Sequence, residues 1–101
     1  MNPERDPKLL AEIGQRLCAT REALGLTQEQ CAGLAGNTRQ AWNRWEKGKT
    51  LIDVAAAIKL ANEYHIPLDW TYRGIPDGLP LHVAQRVLSP AKLFRFNRRP
   101  A

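Results

Sequence analysis

Long apolar runs are missing from this chain of 101 residues: no stretch of eighteen apolar residues occurs, so no membrane-spanning helix is expected. The first residues, Met1-Asn2-Pro3-Glu4-Arg5-Asp6, lack the apolar segment of a secretory signal, and a cytoplasmic location is expected. Cysteine is scarce as well. Cys18 and Cys31 have no second Cys or His at ligand spacing near either, which argues against a zinc site and for two reduced thiols at near-core positions. Ser/His/Asp arrangements, paired carboxylates and glycine-rich phosphate loops are also missing, so neither catalysis nor a cofactor is expected.

Acid is absent from the last part of the chain. Arg86, Lys92, Arg95, Arg98 and Arg99 fall between residues 86 and 101 with no Asp or Glu among them, whereas residues 1–85 hold ten bases and ten acids. The tail therefore carries the whole net charge of +5. It reads either as a solvated terminus or as a contact for nucleic acid or a membrane surface. A sequence pI near 9.7 favours a polyanionic partner. The rest of the composition, 44% hydrophobic and 25% charged, is that of an ordinary globular domain and excludes wholesale disorder.

Helix punctuation divides the chain. Asp6-Pro7 marks a start, because the Asp carboxylate can accept from an orphan N–H and Pro at the first helical position has no N–H to lose. Leu10, Ile13, Leu17 and Leu24, with Thr20 between, then recur at three- and four-residue steps as one buried stripe, up to Gly25. Thr27-Gln28-Glu29-Gln30 fits a capping box for a short second helix, with Cys31, Ala32, Leu34 and Ala35 on its buried side. Gly36-Asn37 makes a turn. Thr38 caps a third helix that ends near Lys47, before Gly48.

A fourth helix is predicted from Thr50-Leu51-Ile52-Asp53 to about Tyr64, burying Leu51, Val54, Ala55, Ile58, Leu60 and Ala61. A fifth runs from Pro67 to Arg73, buries Trp70 and stops at Gly74. Ile75 to Pro80 is a Pro/Gly linker, and Leu81, Ala84, Val87 and Leu88 suggest a weak sixth helix broken at Ser89-Pro90. With no strand-period segment in residues 1–74, the expectation is an all-α, five-helix bundle. It divides into a lead-in at 1–7, a domain at 8–74, and a linker, weak helix and basic tail at 75–101.

The second and third helices, joined by a turn of about four residues, have the skeleton of a helix-turn-helix, whose second helix enters the major groove. At about 100° per residue, Arg39, Gln40, Asn43 and Arg44 share one arc and Ala41, Trp42 and Trp45 another, with Glu46 off the polar arc. Arg pairs with guanine, and Asn or Gln with adenine, in bidentate fashion. Solvation alone accounts for a polar helix face. A capped preceding helix and the basic turn Lys47-Gly48-Lys49 favour DNA reading instead.

The run Leu24-Gly25-Leu26-Thr27-Gln28-Glu29-Gln30, then Gly36-Asn37-Thr38-Arg39-Gln40-Ala41-Trp42-Asn43-Arg44-Trp45-Glu46-Lys47-Gly48, then Leu68-Asp69-Trp70 and Arg73-Gly74, resembles the Cro/phage-repressor (XRE-type) helix-turn-helix family over about residues 8–74. The resemblance implies a phage-repressor-like fold with a short C-terminal extension. Thr27, Gln28, Thr38, Arg39, Gln40, Asn43, Arg44, Lys47 and Lys49 are the implied DNA-binding residues. Gln28 would hold a phosphate, the arc of Arg39, Gln40, Asn43 and Arg44 would face bases or flanking phosphates, and Lys47 and Lys49 would clamp the backbone. Arg21 and Glu46 match the family's structural ion pair.

The chain departs from the family pattern at Cys31, Asn37, His65, Pro67 and Thr71. His65 stands where the family often has Gly, and is expected to cap in the left-handed conformation.

The function implied is a sequence-specific transcriptional regulator, a repressor that binds an inverted-repeat operator in double-stranded DNA as a homodimer. The alternative is an antitoxin-like protein that binds a partner protein through its C-terminal extension and also its own operator. A protein-interaction module without DNA binding would not need Arg39, Gln40, Asn43 and Arg44. Leu68, Tyr72, Leu79 and Leu81, and the alternating segment Leu93-Phe94-Arg95-Phe96, are candidate dimer contacts.

Overall fold

The computed structural model describes residues 5–90. Six α-helices occur among them: α1 (Pro7–Ala23), α2 (Gln28–Leu34), α3 (Arg39–Glu46), α4 (Val54–Tyr64), α5 (Leu68–Arg73) and α6 (Leu81–Val87). Four starts are set by side-chain caps. Asp6 accepts from the N–H of Lys8 and of Leu9, Thr27 and Gln30 cap one another, Thr38 accepts from Ala41, and Asp53 accepts from Ala56 at 2.7 Å. Each bond satisfies an N–H that the first helical turn leaves without a partner, a contribution of about 1 kcal/mol per cap.

α1 is the axis of the bundle, touching α3 on one side and α5 and α6 on the other. Ile13 and Leu17 reach the common core with Cys31, Ala32, Trp42, Trp45, Ile52, Leu60, Ile66 and Trp70. The rings of Trp42 and Trp45 meet edge to face with centroids 5.5 Å apart, the arrangement that aromatic quadrupoles favour. Gly14 lets α3 come close: a Cβ there would lie 2.5 Å from the carbonyl oxygen of Glu46 and 2.6 Å from that of Trp45. Gly48, with φ near +71°, turns the chain away from α3 against the backbone of Ala11.

The bundle departs from the five-helix expectation. α6 is a sixth member, because Val83 and Ala84, both fully buried, and Leu79 just before it complete the same core. The Leu81, Ala84, Val87 stripe misses Val83, and Leu81 is 49% exposed. In a helix of only two turns a stripe shifted by one residue is nearly as periodic as the true one.

α4 requires a similar correction. It begins at Val54, with residues 50–53 leading in and Asp53 as the cap. It buries Ala56, Ala57 and Leu60, leaving Ala55 exposed and Val54 and Ile58 58% and 42% exposed. Both stripes repeat at helical spacing. The alanine face wins because small side chains allow close approach to the neighbouring helices, and Ile52 fills the space before the first turn.

α4 ends at His65, the one non-glycine residue with positive φ among those described (φ 60°). Asn and His are among the side chains that tolerate this conformation best. Pro67 is the N-cap of α5 and not its first residue. At the other end of α5, Arg16 donates from Nε to the carbonyl of Trp70 at 3.0 Å. Thr20 accepts from the Trp70 indole at 2.9 Å and donates to the carbonyl of Arg16. No described helix is long and apolar enough to cross a membrane.

Candidate nucleic-acid interface

α2 and α3 are two short helices joined by a turn, and α3 packs against both α1 and α2. The turn is tight. Gly36 is left-handed, with φ near +70°, and the N–H of Asn37 returns to the carbonyl of Ala32 at 2.8 Å. α3 is divided by side. Trp42 and Trp45 are buried, and Arg39, Gln40 and Arg44 are exposed. Lys47 and Lys49, just past its end, are exposed too.

Of the acids, only Glu46 lies between Thr38 and Lys49, and it is withdrawn from the surface. Its side chain is 5% exposed. Its carboxylate receives four donors: Arg21 Nε and Trp42 Nε1 on Oε2, each at 2.6 Å, and Arg21 Nη2 and Gln28 Nε2 on Oε1, at 3.2 and 3.0 Å. That is the full acceptor capacity of a carboxylate. Burial by itself would push the carboxyl up, but the hydrogen bonds from Arg21, Gln28 and Trp42 outweigh it and hold it below the usual range. The bond to Glu46 raises the Arg21 guanidinium, partly offset by burial. Arg21 also donates from Nη1 to the carbonyl of Leu26 at 2.9 Å, joining α1 to the loop that enters α2.

The same network reaches the outward side of α3. Gln28 Nε2 gives its second hydrogen to Asn43 Oδ1 at 3.1 Å. Both amide hydrogens of Gln28 are thus committed inside the protein, and its remaining side-chain atom, Oε1, cannot donate to a phosphate. Thr27 and Thr38 use their hydroxyl oxygens as caps, which leaves each hydroxyl hydrogen for an outside acceptor. Arg39, Gln40, Arg44, Lys47 and Lys49 make no described side-chain hydrogen bond within the protein.

Sequence reasoning missed Trp42 as a polar partner. It was placed among the aromatic core residues, yet its indole N–H bonds Glu46 four positions on, a spacing that brings helix neighbours together. The two thiols lie close to this network. Burial pushes the Cys31 thiol up to about 11, with Arg21 and Glu46 acting in opposite directions. Burial, and then Glu46, raises that of Cys18. Neither is activated as a nucleophile. No cluster of three metal-ligating side chains exists among the described residues.

A helix-turn-helix family model matches residues 19–71, from the last turn of α1 into α5. An uncharacterized transcriptional regulator from the ATPase CF(0) region of Rhodospirillum rubrum is 30% identical over 84 residues, 79% of this chain and 78% of that protein. The chain belongs to the XRE-type helix-turn-helix family. That family is one of DNA-binding transcriptional regulators. An SPbeta prophage-derived HTH-type transcriptional regulator of Bacillus subtilis (strain 168) is 33% identical over 62 residues, 61% of this chain and 57% of that protein. No solved structure matches significantly. The XRE-type span contains α2, α3 and the whole Glu46 network; α6 lies outside it.

Proposed function

We propose that this XRE-type protein is a sequence-specific repressor that binds an inverted-repeat operator as a homodimer, with α3 in the major groove. The observation that carries the reading is the division of α3. Arg39, Gln40 and Arg44 are solvent-facing and without protein partners, while both tryptophans are turned into the core. Folding does not require those polar groups, and base edges and phosphates do. With Glu46 neutralised by Arg21, the outward surface from Thr38 to Lys49 is basic, which favours a phosphate backbone.

Within this reading Arg39, Gln40, Asn43 and Arg44 face base edges or adjoining phosphates. Lys47 and Lys49 hold the backbone by charge, and the free hydroxyl hydrogens of Thr27 and Thr38 add neutral donors. One α3 covers too few base pairs for useful specificity, which is the reason for a two-fold dimer. Of the candidate dimer contacts, Leu68 and Leu81 are exposed, Tyr72 is half-buried with its hydroxyl donating to Ile52, and Leu79 is buried and is withdrawn. Leu93 to Phe96 and most of the basic tail lie outside the described residues.

Selection of bound duplexes from a random library at near-physiological salt tests the proposal. The expected result is enrichment of an inverted repeat with half-site centres about 10 base pairs apart, and a loss of affinity of roughly tenfold for Arg44→Ala on the selected site. Binding that falls steeply with salt and enriches no sequence would overturn it.

A further inference from the structure

The turn that leads into α3 carries more than its own residues. Gly36, Asn37 and Thr38 are all exposed, and α4, which packs against α2, sends the exposed Lys59 to the same place. A Cβ built on Gly36 would lie 3.8 Å from Lys59 Nζ, so the ammonium sits beside the bare turn. An acid is available to Lys59 elsewhere: Glu63 stands one helical turn on, at the spacing that pairs charges along a helix surface. No ion pair joins the two; those among the described residues are Arg21–Glu46 and Arg73–Asp69. Nor does Lys59 Nζ donate to any described group, and the same holds for the Asn37 side chain, although the Asn37 backbone N–H is taken by Ala32. One ammonium and one amide are thus displayed at the start of α3 with no protein group to receive them.

We infer that Lys59 and Asn37 form a DNA phosphate site at the N-terminal end of α3, separate from the one held by Lys47 and Lys49. This rests on the proposed docking of α3 in the major groove. The N-terminal residues of a recognition helix contact base edges, so the turn just before them comes to the rim of the groove, where the phosphates are. α3 has eight residues, which makes it about 12 Å long. The groove is of the same width, about 12 Å, so cations beyond the two ends of α3 answer different phosphates. An ammonium suits such a group as a point charge, and the amide adds a neutral donor. Neither contact carries sequence information.

The test uses the full chain and the duplex it selects, with Lys59→Gln, Lys59→Arg and Asn37→Ala, and follows affinity between about 50 and 200 mM salt. Lys59→Gln should bind more weakly, and its slope of log affinity against log salt should be shallower by about one for each bound protomer. Its selected sequence should not change. Lys59→Arg should keep the slope of the unaltered protein. Asn37→Ala should weaken binding at an unchanged slope, because a neutral amide releases no counterion. Single phosphates are then replaced by uncharged methylphosphonates. One replacement in each half-site should weaken the unaltered protein and not Lys59→Gln, and it should differ from the one found in the same way with Lys47→Gln.

A cation near the last carbonyls of α2 also stabilises that helix end. If this were the whole role of Lys59, Lys59→Gln would lower the melting temperature and leave the salt slope as it was. An unchanged slope in Lys59→Gln, an unchanged affinity in Asn37→Ala, or one phosphate shared by Lys59 and Lys47 overturns the inference while leaving the DNA-reading proposal standing. Absence of any enriched sequence for the unaltered protein overturns both.

Discussion

The two sides of α1 are held by different physics. Toward α3 the contact is organised around one buried carboxylate with four donors, whereas toward α6 it is made by Leu79, Val83 and Ala84, and no α6 side chain makes a described hydrogen bond. Hydrogen bonds are directional and apolar contacts are not. The polar side can therefore fix the angle at which α3 leaves the bundle and the orientation of Asn43 on it. The apolar side only has to fill space. On the proposed reading, in which α3 reads bases, the first property is needed at α3, and the second suffices at a helix outside the family-matched span.

Removing one member of the polar side should have the largest effect. Arg21→Ala leaves Glu46 buried with its charge uncompensated, and a loss of about 3 kcal/mol in urea unfolding is expected, together with weaker DNA binding. A loss below about 1 kcal/mol would show that the pair behaves as an exposed one and that the contrast between the two sides is unfounded. Val83→Ala comes next. It removes two buried methyl groups from α6 and should cost about 2 kcal/mol while leaving the selected DNA sequence unchanged. A change of base preference in this variant would mean that the apolar side also sets the angle of α3.

The smallest effect sharpens the comparison through pH. The carboxyl of Glu46 is held lower in the folded protein than in the unfolded chain. The stability it contributes is therefore fully present above the ordinary glutamate value of about 4.3 and is lost as pH falls through the folded value. In a pH titration followed by NMR, the indole N–H of Trp42, bonded to Glu46, should move below about pH 4.3, and that of Trp70, bonded to Thr20, should not. Equal movement of both resonances would show that acid loosens the whole bundle and not the polar junction first.

Much of this was legible before any coordinates. Asp6, Thr27 and Thr38 lie just before helical periodicity, and all three cap helices, because a cap acts on backbone groups only two or three residues away, whereas α4 is capped by Asp53, three residues past the expected start at Thr50. The polar and aromatic sides of α3 could be read from spacing for the same local reason. The buried face of α4 could not. The stripe of Val54 and Ile58 and that of Ala56, Ala57 and Leu60 are both helical, and larger apolar residues favoured the wrong one. α6 was underrated because its value lies in the core it closes, and a short periodic segment carries no sign of that.

The order of the helices, the caps of α1, α2 and α3 and the polar and aromatic sides of α3 were thus settled by the sequence alone, since each depends on groups within a few residues of one another. Tertiary structure decided which atoms were left over. Gln28 and Asn43, fifteen residues apart, meet where α2 packs on α3, and Arg21 and Glu46, twenty-five apart, meet where Gly14 lets α3 lie close against α1. Once they meet, each donor must be matched to an acceptor inside a part-buried network. That matching, which no local pattern contains, sets the Asn43 oxygen against Gln28 and leaves its amide nitrogen without a protein partner.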